Sequence, residues 1–184
     1  MKRFSMLASA ACVLLALVFT VNLTHAQDAK KAKPEDLVGK TAPDMEMQTL
    51  DGKSVKLSDM KGKVVVADFW ATWCPPCRKS LPKLNEMAND EAMKADGLVV
   101  WGVNAREDKA KVEAFMKDNK YSFTVPMDDG TAMGAYHVSG IPTTVVIGRD
   151  GTVKAAFVGY GPNSEEQIKE AVKKAMEEAA SDEA

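Results

Sequence analysis

Val-Val-Val-Ala-Asp-Phe-Trp-Ala-Thr-Trp-Cys-Pro-Pro-Cys-Arg, from Val64 to Arg78, passes from an unbroken apolar run into two cysteines separated by two residues. The run is too hydrophobic for a half-exposed strand, so a central strand covered on both faces is expected over 63–69. Beyond Cys77 the apolar residues fall at helical spacing to about Met93, with a kink expected at Pro82, which lacks a backbone donor. Cys74 thus lies at a strand-to-helix junction.

A thiol at a helix N-terminus meets unsatisfied N–H groups and the positive end of the dipole, both of which favour thiolate. Cys74 is the expected attacker. Cys77, one turn further on the same side, can reach back and expel a substrate from the mixed disulfide, as a resolving thiol. Pro75 and Pro76 carry no N–H, leaving the Cys77 amide as the backbone donor within the motif and a modest lowering of the Cys74 pKa as the expectation. Two blander readings compete. A purely structural bridge closing so small a loop removes little unfolded-state entropy. A zinc site wants four ligands, yet the chain has two histidines, His25 and His137, and no second cysteine pair, so no metal is expected.

The third cysteine, Cys12, falls within an N-terminal leader. Lys2 and Arg3 precede an apolar run over 4–23, and Thr24-His25-Ala26 offers a small-residue cleavage site, which reads as a signal peptide over 1–26. Because the run is about 20 residues, an uncleaved membrane anchor is the competing reading; a lipid-attached Cys12 fits less well, with most of the apolar run after it. Cutting after Ala26 leaves 158 of 184 residues and takes 24 basic residues to 22, against 26 acidic, a net charge near −4. Nucleic-acid binding is not expected without a basic stripe.

Residues 27–39 are polar and read as a linker, with one domain over 40–184. Asp51-Gly52 between short alternating runs signals an N-terminal hairpin over 45–57. Further strands are expected over 98–103, 123–127, 143–147 and 152–158, and helices over 107–119, 131–136 and from Ser164, where Ile168, Val172 and Met176 form one stripe. The alternation implies an α/β fold, a central mixed sheet with helices on both faces.

The run from Val66 to Lys79 resembles a thioredoxin active site, and Gly140-Ile141-Pro142-Thr143-Thr144 resembles the proline loop of that fold. Val103-Asn104, an extra strand-helix insertion, Val125-Pro126-Met127-Asp128 and Tyr136-His137-Val138 make the likeness closest to exported TlpA/ResA-like thiol-disulfide oxidoreductases, over residues 39–180. The resemblance implies a thioredoxin-like fold and a redox-active Cys74–Cys77 disulfide. It implies a cis Ile141–Pro142 peptide facing Cys74, with the Ile141 backbone available for pairing with a peptide. It also implies protein thiol or disulfide substrates, a membrane thiol-electron transporter as donor, and work as a reductase, for example in cytochrome c maturation. No cofactor is expected, and the chain is expected to act as a monomer.

Asp68 matches the buried acid of thioredoxins, a proton relay to Cys77, whereas many TlpA/ResA-like proteins have Asn there and an acid at the position of Ser80. Gly102 falls where thioredoxins have a lysine beside that acid, so Asp68 is expected to titrate high. Trp73 is the candidate substrate contact, Trp70 a packing residue, and His137 is given no catalytic role. Other readings are a periplasmic disulfide donor, a Cu(I)-binding module using the two thiolates, and a peroxidase, which would need a Pro-x-x-x-Thr-x-x-Cys setting that the segment before Cys74 lacks.

Overall fold

The computed structural model describes residues 32–178; the leader, with Cys12 and the cleavage site, lies outside them. β1 (Glu46–Thr49) and β2 (Ser54–Lys56) form the expected hairpin, with Gly52 at a φ of 84° that favours glycine. β3 (Val64–Trp70), β4 (Leu98–Ala105), β5 (Pro126–Asp128), β6 (Thr143–Ile147) and β7 (Val153–Val158) complete one sheet of seven strands, ordered β2-β1-β5-β4-β3-β6-β7. The β3, β4 and β5 strands run parallel. The antiparallel β6–β7 hairpin closes one edge, and the N-terminal hairpin closes the other through β1 against β5.

Every residue of β3 is buried, and its alternation divides the core in two. Val64, Val66 and Trp70 face α1 (Pro75–Ala88), α3 (Lys109–Asn119) and α5 (Ser164–Glu178), meeting Leu81, Leu84, Val112 and Val172. Val65, Ala67 and Phe69 face the opposite side, where Ala132 of α4 (Thr131–Ala135) joins Leu37, Leu57 and Tyr136. The Tyr136 hydroxyl is satisfied there, donating to the Pro43 carbonyl at 2.7 Å.

Four expectations need correction. The polar linker is folded from Pro34 onward: Pro34–Leu37 makes a 3₁₀ turn with Pro34 and Leu37 buried, and Gly39 N donates to Val153 O at 2.8 Å. Burying Leu37 contributes roughly 1.5–3 kcal/mol to holding this turn, beside buried Pro34 and the hydrogen bonds to Val153. The helix expected to reach Met93 ends at Ala88, and α2 (Glu91–Ala95) starts afresh because the Asp90 carboxylate accepts the Ala92 and Met93 N–H groups. The next helix, α3, begins after its Asp108 cap rather than at Glu107. The strand expected over 123–127 is regular only from Pro126, with Thr124 making an isolated bridge to Trp101 while Phe123 packs edge-on against Trp70.

Candidate active site

Cys74 is the N-cap of α1, with Pro75 and Pro76 in its first turn, where a missing N–H costs no helical hydrogen bond. Its backbone is extended (φ −86°, ψ 108°), which aims the side chain back over the helix end, and Cys77 N donates to Cys74 Sγ at 3.2 Å. The two cysteines are joined in a disulfide, with Cα atoms 5.3 Å apart. Cys77 is fully buried, whereas Trp73, immediately before Cys74, is 64% exposed. Trp70 lies inside, its ring 5.4 Å from that of Phe115, so the two indoles that flank the motif differ completely in surroundings.

Facing the disulfide is the loop before β6. Its Ile141–Pro142 peptide is cis, and the Ile141 carbonyl oxygen lies 3.6 Å from Cys74 Sγ. Thr143 Oγ1 donates to Gly140 O at 2.8 Å and Gly159 N donates to Pro142 O at 2.8 Å, so the loop is tied to itself and to the chain leaving β7. His137, upstream of the loop, has a left-handed φ of 56°.

Asp68 lies on the α1–α5 side of β3, in register with Thr144 of β6 and Gly102 of β4. It is buried, its Oδ1 accepts from Thr144 Oγ1 at 2.5 Å, and its Oδ2 has no hydrogen-bond partner among the described residues. Burial pushes its carboxyl up to about 7 against the opposing pull of the Thr144 hydrogen bond. No cation can enter from Gly102: a Cβ there would run into the Phe123 ring and come within 3.0 Å of Trp70 Nε1. A side chain is thus sterically excluded at position 102, and burial is what raises the Asp68 carboxyl. Asp68 lines a 30 Å³ cavity together with Ser80, Tyr160, Lys83 and Lys169, large enough to admit a water molecule. It makes no hydrogen bond to either cysteine; Ser80 is nearer the pair in the bonding network, its Oγ donating to Cys77 O at 2.9 Å.

A further acid beside the motif escaped the sequence reading. Glu107 sits between β4 and the cap of α3, its side chain only 5% exposed. Oε2 accepts from Thr72 N at 2.6 Å and Asn104 Nδ2 at 3.0 Å, and Oε1 accepts from Thr72 Oγ1 at 2.6 Å and Lys111 Nζ at 2.7 Å. Burial alone would raise its pKa, but the hydrogen bonds from Lys111, Thr72 and Asn104 prevail and hold it below the usual value. Asn104, quoted above for its likeness to the family, was the one available pointer to this network.

The helix end, the buried Cys74–Cys77 disulfide and the cis-proline loop form an arrangement suited to disulfide exchange, with the Ile141 backbone opposite the Cys74 sulfur. Residues 38–156 match the AhpC/TSA family. The thiol-disulfide oxidoreductase ResA of Bacillus cereus is 36% identical over 148 residues, which cover 80% of this chain and 84% of that protein. Among solved structures, one described as a thiol:disulfide interchange protein DsbE, from Chlorobium tepidum, superposes with a TM-score of 0.70 at 37% identity, covering 76% of this chain and 97% of the other. The exposed lipoprotein thioredoxin Etrx1 of Streptococcus pneumoniae superposes with a TM-score of 0.63 at 30% identity, covering 72% and 99%. The chain belongs to the AhpC/TSA family and is a thioredoxin-fold thiol-disulfide oxidoreductase.

Proposed function

We propose that the protein is an exported reductase of protein disulfides, supplied with electrons by a membrane thiol-electron transporter, acting as a monomer and serving apocytochrome c maturation or a comparable exported client. The observation that carries this reading is Cys74 Sγ at the N-terminus of α1, 3.6 Å from the Ile141 carbonyl across the cis-proline loop.

In the reduced state the Cys74 thiolate attacks one sulfur of the substrate disulfide, forming a mixed disulfide and releasing the first substrate thiolate. Cys77 then loses its proton and attacks Cys74 Sγ, releasing the second thiolate and leaving the Cys74–Cys77 bond. Two electrons pass to the substrate. Asp68 takes up the Cys77 proton, its carboxyl at about 7 being suited to exchange protons near neutrality; the cavity on which Asp68 and Ser80 open can hold a water against the carboxyl. A peptide lying along the Ile141–Pro142 loop can pair with the Ile141 backbone and rest on the exposed Trp73 ring, which recognises main chain rather than particular side chains.

Export is supported by the leader, read as a signal peptide over residues 1–26 or an anchor through residues 4–23, and by the pneumococcal relative's description as an exposed lipoprotein. No helix among the described residues is long and apolar enough to cross a membrane.

The reduction potential of the Cys74/Cys77 pair, from equilibration with thiol buffers, tests the direction of flow. A value near or below about −230 mV is expected; one near −120 mV would make the protein a disulfide donor instead.

A further inference from the structure

We infer that Glu107 is a positioning residue for the exchange reaction: its carboxylate anchors Thr72, and through it holds the Trp73–Cys74 segment in the orientation from which Cys74 meets a disulfide. The bonds are bidentate on a single residue. Thr72 gives both its backbone N–H and its hydroxyl to Glu107, each at 2.6 Å, across 35 positions of sequence. Thr72 is itself buried and lies two residues before Cys74. The anchor has a fixed base, because Asn104, fully buried at the end of β4, donates to Glu107 Oε2 and accepts the Glu107 N–H at 3.3 Å. A segment that carries a 64% exposed tryptophan is thus tied down at the residue before it and, through Cys74, at the helix cap after it.

The charge matters as well as the shape. Four donors converge on two oxygens: the Thr72 N–H and hydroxyl, the Asn104 amide and the Lys111 ammonium. A glutamine keeps an oxygen for the Thr72 and Asn104 N–H groups and can donate its NH₂ to the Thr72 hydroxyl, so Glu107→Gln loses the charge and the Lys111 contact, whereas Glu107→Ala removes the anchor altogether. Charge-assisted bonds of this kind are roughly twice as strong as neutral ones. Lys111, 54% exposed, is the peripheral member and does not touch Thr72.

The inference rests on Cys74 as the attacking thiol. The test is the rate at which reduced protein releases 5-thio-2-nitrobenzoate from its mixed disulfide with a cysteine peptide, at a temperature where circular dichroism shows each variant folded. Misplacement of a reacting group by about 1 Å can cost 10²-fold, so Glu107→Ala should slow release roughly 10- to 100-fold. Thr72→Val should lose several-fold and Thr72→Ser should recover most of that loss, whereas Lys111→Ala should stay within about twofold. A purely structural role would lower the melting temperature and leave these rates alone. Glu107→Ala and Thr72→Val both within about twofold of wild type, or Lys111→Ala slowed as much as Glu107→Ala, would overturn the inference. If Glu107→Ala does not fold, the two Thr72 variants decide the matter. Release retained by Cys74→Ser would overturn the attacking role and this inference together; loss there, with unaffected Glu107 and Thr72 variants, would remove only the latter.

Discussion

Two buried carboxylates flank the cysteine motif, and they behave in opposite ways. Asp68 has one hydroxyl donor and an orphaned oxygen, so desolvation governs it and its carboxyl rises to about 7. Glu107 is only partly buried as a residue, though its side chain is tucked in, and four donors surround it, so its carboxyl falls below the usual range. Burial by itself does not decide whether an acid is charged; the supply of donors does. The difference divides the labour at the site, one acid free to change protonation and the other fixed as an anion that anchors backbone.

The largest effect expected from breaking this contrast is on stability, with opposite signs. Asp68 binds a proton more tightly folded than unfolded, so between about pH 4 and 7 the native state holds more protons and stability falls as pH rises, by up to about 4 kcal/mol in all. Asp68→Asn should abolish that decline and be the more stable protein at pH 8, whereas Glu107→Gln should lose roughly 1.5–3 kcal/mol there. Urea unfolding at pH 5 and pH 8 reads both; a wild-type protein equally stable at the two values would contradict a high-titrating Asp68.

Next in size is the steric exclusion of a cation. Gly102→Ala pushes a methyl group against Phe123 and should cost about 1–3 kcal/mol through overpacking. A neutral or stabilising result would mean that β4 has room for a side chain beside Asp68. The smallest effect concerns the one donor that Asp68 has: Thr144→Val removes it and should move the Asp68 midpoint further upward, as carbon NMR of the carboxyl would record. A downward move would assign the high value to something other than the balance of burial against one hydrogen bond.

The contrast also explains what could be read from the chain. The apolar run into the cysteines, the hairpin turn at Asp51-Gly52 and the helix stripe at Val172 are local patterns, and each lies where it was expected. Asp68 was legible because it is the acid in an otherwise apolar run and the family likeness singles it out. Its partner Thr144 depends on the β3–β6 register, 76 positions away, and no local pattern encodes that. Glu107 was hidden among 26 acidic residues, since its role appears only when the end of β4 meets the loop before Cys74. Two misjudged boundaries did carry local signals: Asp90 ahead of Glu91 is a helix-start pattern, and Leu37-Val38 is an apolar pair at the end of a polar run.

The central claim is that Asp68 moves the proton when Cys74 and Cys77 exchange electrons with a disulfide. The most direct test is the second-order rate constant of reduced protein with a peptide disulfide from about pH 6 to 9, in wild type and Asp68→Asn. An inflection near 7 in the wild type that is missing from a slower Asp68→Asn is the expected result; superimposable profiles would contradict the relay and leave Asp68 as a structural residue.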